Sequence, residues 1–99
     1  MAVIFVSRRM GADPGGYAAA AQAMNALAAH QPGFCGIESV READGIGITI
    51  SYWADRHAAA AWRDHPEHQR IRERGRATWY EWYEVVITTV DRSYRWERG

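Results

Sequence analysis

The chain has 99 residues, 47% of them apolar, and its 12 basic and 12 acidic side chains cancel to a formal charge of zero. That length fits one domain with a modest core, and that apolar share excludes a disordered chain. The even charge excludes the basic footprint of a nucleic-acid binder and the polybasic cluster of a membrane-surface protein. All 12 basic residues are arginine, which with the alanine-rich helices suits a bacterial, GC-rich genome. Cys35 is the only cysteine, so no internal disulfide forms and the chain fits a reducing cytoplasm.

Residues 2–9 are rich in β-branched and aromatic side chains, apolar at successive positions. This predicts a strand covered on both faces. The run is too short for a signal peptide or a membrane span. Gly11 to Gly16 breaks it, and Asp13 followed by Pro14 is a helix start. From Pro14 to Ala29, Tyr17, Ala20, Ala21, Met24, Leu27 and Ala28 recur at three- and four-residue steps, which puts them on one core-facing stripe. Gln31-Pro32-Gly33 stops that helix.

Phe34 to Arg41 reads as a second strand, and Asp44-Gly45 closes a tight hairpin. In the third strand, Ile46 to Trp53, the residues Ile46, Ile48, Ile50 and Tyr52 share one face. Gly47, Thr49, Ser51 and Trp53 share the other. Asp55 caps a second helix whose stripe is Ala58, Ala61, Trp62 and His65. Pro66 interrupts it, because the residue before a proline leaves the helical region. A charged helix over 66–74 ends near Gly75. Trp79 to Asp91 reads as the fourth strand, and residues 93–99 as a polar, aromatic-bearing tail.

The order β-α-β-β-α-β predicts a ferredoxin-like α+β domain over residues 1–99, with its core at 2–92 and a four-stranded antiparallel sheet. Helices on one face leave the other face open. Here strands one and four are apolar on both sides, and an apolar patch of that kind marks an interaction surface. A two-fold partner packing sheet on sheet is the simplest cover, so the chain is expected to be a homodimer.

Several motifs point the same way. They are Pro32-Gly33-Phe34 leading into strand two, Ser51-Tyr52-Trp53 closing strand three, Ala61-Trp62 before His65-Pro66-Glu67-His68, and the aromatic run Trp79-Tyr80-Glu81-Trp82-Tyr83. In this order they resemble the antibiotic biosynthesis monooxygenase domain family of the dimeric α+β barrel superfamily, over about residues 2–92. The resemblance implies a barrel formed by two sheets. For some members it implies oxidation of an aromatic or quinol-type molecule by dioxygen without a bound cofactor, with a helix tryptophan lining the pocket. Trp62 matches that tryptophan, and a planar phenolic substrate would stack on it.

His65 and His68 are the candidate general bases. His65 is expected to turn inward, as the extension of the Trp62 stripe, and Pro66 argues against a shared metal. Tyr52 and Tyr83 are candidates to hydrogen-bond a substrate oxygen, and Arg72 to attract an anionic one at the rim. Cys35 reads as an inert small side chain. Haem-cleaving relatives carry an asparagine on strand one and an axial histidine ten residues after the tryptophan. This chain has Ser7 and Arg8 on strand one and Arg72 at the tenth position after Trp62. That departure counts against haem cleavage and leaves ligation by His68 as an alternative. A non-catalytic dimeric binding module is the third reading.

Overall fold

The computed structural model describes residues 1–99. The order is β1 (Ala2–Arg9), α1 (Pro14–Ala28), β2 (Phe34–Arg41), β3 (Ile46–Trp53), α2 (Arg56–Arg63), α3 (Pro66–Arg74), a π-helical turn over Gly75–Trp79, and β4 (Tyr80–Thr88). The strands form one antiparallel sheet in the order β2-β3-β1-β4. This is the ferredoxin-like α+β arrangement expected from the sequence. No helix is long and apolar enough to cross a membrane.

Local chemistry explains the element ends. The Asp13 carboxylate accepts the Gly16 backbone N–H at 3.1 Å and caps α1. Its other oxygen accepts from Arg74 and from the Trp79 indole, each at 3.3 Å, and so ties α1 to the far end of α3. Asp55 caps α2 through the Ala58 N–H at 2.8 Å. Gly33 sits at φ +80°, where a Cβ would also lie 2.5 Å from that of Ala58. Only glycine lets the α1–β2 connection take that conformation and approach α2 so closely.

The register assigns each strand residue to a face. Val3 pairs with Ser51 and Ile87, Phe5 with Thr49 and Val85, and Ser7 with Gly47 and Tyr83. These share with Trp53, whose indole N–H donates to the Ser51 hydroxyl at 3.0 Å, the side on which the helices pack, although Val85 and Ile87 on the edge strand β4 stay about half exposed. Ile4, Val6, Ile48, Ile50, Tyr52, Trp82 and Val86 alternate with them onto the uncovered side. There Ile48, Trp82 and Val86 are each about two-fifths exposed, and Val40 is 71% exposed.

The fourth strand differs from the sequence reading at both ends and in its register, and Trp79, expected to open it, closes the π-helical turn. The strand predicted to reach Asp91 ends at Thr88, and residues 89–99 are irregular and exposed. The register of β1 against β4 shifts between Arg8 and Arg9, so that Arg9 pairs with Tyr80 and Arg8 with Trp82. Simple alternation places Tyr80 opposite Tyr83. The bulge returns it to the same side, where both rings lie against Phe5 at 5.4 Å.

Candidate active site

The helix-covered side holds two aromatic clusters at opposite ends of β1. The first contains the core of the molecule: Ala28 from α1, Trp53 from β3, and Ala58 and Trp62 from α2. Trp62 is 9% exposed. Trp53 stacks near-parallel to it at 6.1 Å, and His68 at 4.6 Å with an interplanar angle of 16°. Two aromatic rings therefore lie near-parallel to Trp62. The rim of an indole is the electropositive part of its quadrupole and suits an oxygen or an electron-rich ring.

Trp62 lines a cleft of about 230 Å³ together with Gln31, Gly33, Asp55, His57 and Ala61. The cleft lies between the α1–β2 connection and α2. His57 is the residue that the sequence reading missed. Its signal was present, because His57, Ala58, Ala61 and Trp62 follow the spacing of one helix face.

His65 and His68 flank Trp62 and do not line the cleft. His65 stands at the start of α3, with φ −61° and ψ 131° as required before Pro66. Its Nδ1 accepts the Glu67 backbone N–H at 3.2 Å, and its ring is 5.6 Å from that of Trp62. His68 Nδ1 lies 3.0 Å from the Trp62 carbonyl oxygen. A carbonyl only accepts, so this nitrogen carries the proton and Nε2 keeps the lone pair in the neutral ring. Burial lowers the pKa of His68, and the nearby positive charge of Arg72 acts in the same direction. The bond to the Trp62 carbonyl opposes them. Contrary to expectation, His68 is the histidine that lies flat on Trp62. The extended backbone at His65 ends the α2 stripe, and α3 starts a new helical phase.

The remaining predicted site residues are dispersed. Arg72 is one turn beyond His68 and has a buried, unpartnered Nε. Tyr52 points to the uncovered side of the sheet, since it alternates with Ser51 and Trp53, and it does not share a pocket with Trp62. Tyr83 belongs to the second cluster, at the opposite end of β1, and its hydroxyl accepts from Arg76 at 2.6 Å.

That second cluster joins Tyr17, Trp79, Tyr80, Tyr83 and Phe5. It also holds two guanidinium groups. Arg9 lies 3.9 Å from the centre of the Tyr17 ring. Arg41 donates to the Ser7 and Tyr17 hydroxyls, each at 3.0 Å, and to the Gly45 carbonyl. Burial, and then the Tyr17 hydroxyl beside it, hold the Tyr80 phenol above its ordinary pKa, although Arg41 and Arg9 pull it down.

The family model for antibiotic biosynthesis monooxygenase matches residues 3–74. The chain belongs to the antibiotic biosynthesis monooxygenase family. It is 55% identical over 91 residues to YqjZ of Bacillus subtilis strain 168, described as an uncharacterized protein. That match spans 92% of this chain and 79% of the relative. Two solved structures have the same fold at lower identity. Rv0793 from Mycobacterium tuberculosis superposes with a TM-score of 0.79 at 17% identity, covering 94% of this chain and 97% of that one. A mutant form of SnoaB from Streptomyces nogalater, described as a cofactor-independent oxygenase, gives 0.74 at 24% identity, with 93% and 95% covered.

Proposed function

We propose that this family member is a small monooxygenase that oxidises a one-ring phenol or quinol with dioxygen and no bound cofactor. The observation that carries the reading is that Trp62 lines a cleft that also holds an imidazole, His57. A volume of about 230 Å³ falls below the roughly 300–1,000 Å³ of sites for drug-sized ligands. One substituted ring fits it better than a polycycle. Family membership and the likeness in fold to SnoaB support the reaction class.

In this reading Trp62 and His57 touch the substrate. His57 accepts the phenolic proton, which raises the electron density of the ring, and the Trp62 edge faces the resulting oxygen. Ring and dioxygen then react directly. For a hydroquinone, one ring C–H becomes C–OH and the quinol becomes the quinone. Four electrons pass to dioxygen. One oxygen atom stays on the ring and the other leaves as water. His65 and His68 act through Trp62 as positioning residues, and Arg72 sits behind His68.

The active form is a homodimer. Its interface is the uncovered apolar face of the sheet, where Ile48, Trp82, Val86 and Val40 would otherwise meet water. Val86→Asp places a charge in that face and is expected to shift the chain to a monomer in gel filtration. An unchanged dimer would place the interface elsewhere.

Oxygen uptake with a panel of quinols and anthrones tests the activity. Uptake is expected with one-ring quinols, reduced by about tenfold or more in His57→Ala, where the proton acceptor is lost, and reduced also in Trp62→Phe. No uptake with any substrate would make the protein a ligand-binding module. A Soret band on haem titration that disappears in His68→Ala would make it a haem protein.

A further inference from the structure

At the far end of β1 from Trp62, the two donors Nε and Nη2 of Arg9 are buried and have no hydrogen-bond partner. These two donors form one side of the guanidinium, the edge that grips a carboxylate with two parallel hydrogen bonds. The same edge is used elsewhere in the chain, where Arg63 Nε and Nη2 hold the two oxygens of Asp64 at 3.0 and 3.2 Å. Leaving such a charged fork buried and empty costs more than leaving a neutral donor unpaired.

A second cation stands beside it. Arg41 lies across Gly47, where a Cβ would come within 2.5 Å of its Cζ, so the absence of a side chain at 47 makes its seat. The ion pairs of the molecule involve neither Arg9 nor Arg41. Both arginines line a cleft of about 320 Å³ with Met10, Glu42, Asp44 and Gly45. Glu42 and Asp44 make its lining partly acidic, and neither is paired to Arg9 or Arg41; the Asp44 carboxylate accepts the Ile46 N–H of its own hairpin.

We propose that Arg9 and Arg41 form a binding site for a small monocarboxylate, separate from the Trp62 cleft. The free edge of Arg9 takes the carboxylate oxygens in a bidentate grip, after a rotation of its side chain into the cleft. Arg41 supplies the second positive charge without moving, because Ser7, Tyr17 and Gly45 hold it. The partly acidic lining disfavours a dianion and so selects against dicarboxylates and phosphate.

The test is a titration of the protein with benzoate, benzamide, succinate and inorganic phosphate, followed by the NMR signal of the Arg9 Nε–H. Benzoate is expected to shift that signal saturably, and to bind at least about tenfold more tightly than any of the other three, as loss of a charge-assisted bidentate pair implies. Arg9→Gln is expected to abolish the preference for benzoate over benzamide, and Trp62→Phe to leave it intact. Equal binding of benzoate and benzamide would overturn the proposal. So would an Arg9 Nε–H already bonded to Glu42 in the free protein, revealed by a signal that moves in Glu42→Gln and not with benzoate. The wild-type signal alone decides the matter if Arg9→Gln does not fold.

Discussion

The two ends of the helix-covered side solve the same problem in opposite ways. Around Trp53 and Trp62, aromatic rings pack on one another, and the Trp53 and His68 ring N–H groups are satisfied locally, by Ser51 and by the Trp62 carbonyl. Around Tyr17, the space is filled by guanidinium groups, hydroxyls and ring edges, and Ser7 is fully buried to serve as an acceptor. The first end is held by the release of apolar surface from water, which tolerates no cavity. The second is held by directional bonds, each of modest net worth and costly only when a partner is removed. The two ends are therefore expected to respond differently to substitution.

The largest effect falls at the stacked end. Trp53 is 2% exposed, and Trp53→Ala is expected to cost about 3–5 kcal/mol in urea unfolding, through lost transfer energy and the cavity left beside Trp62. A loss under about 1 kcal/mol would show that Trp53 and Trp62 do not form one packed unit. At the polar end, Ser7→Ala removes one acceptor of Arg41 and leaves the Tyr17 hydroxyl in place. The expected cost is about 1 kcal/mol. If it matched the Trp53 loss, the contrast between the ends would fail.

A smaller effect is an acid-side pH dependence at the stacked end. His68 has a folded pKa below its ordinary value of 6.5, so the unfolded chain binds its proton more readily. Its contribution to stability is complete above that value and is lost as the pH falls from there through the folded pKa. Melting temperature should therefore fall on acidification more steeply in the wild type than in His68→Gln. Parallel curves would remove His68 from the account. The smallest effect is expected for Tyr83→Phe, which breaks a bond to Arg76 near the surface. The change should stay within about 0.5 kcal/mol.

The sequence carried most of the fold, because hydrophobic period and capping residues act locally. The faces of β3 follow from strict alternation, and the start of α1 from Asp13 before Pro14. The site was less legible wherever the phase of an element depends on contacts distant in sequence. Tyr80 shares a side with Tyr83 only because of a bulge opposite Arg8 and Arg9, which no local pattern announces. Tyr52 is a candidate beside Tyr83 for its hydroxyl alone, although the alternation within β3 already sets it on the opposite face from Trp53. The choice between His65 and His68 turned on how α3 restarts after Pro66. The pairing of Arg9 with Arg41 joins residues on two strands that β3 separates, and neither carries a motif.

The central claim is that an aromatic substrate occupies the cleft at the Trp62 edge. A titration with hydroquinone under argon, where turnover cannot proceed, tests it through the indole N–H and imidazole signals of the protein. Saturable shifts of the Trp62 and His57 signals, with those of Trp79 and the Arg9 Nε–H unmoved, are the predicted result. Shifts confined to the Tyr17 end, or none at the Trp62 edge at saturating ligand, would contradict it.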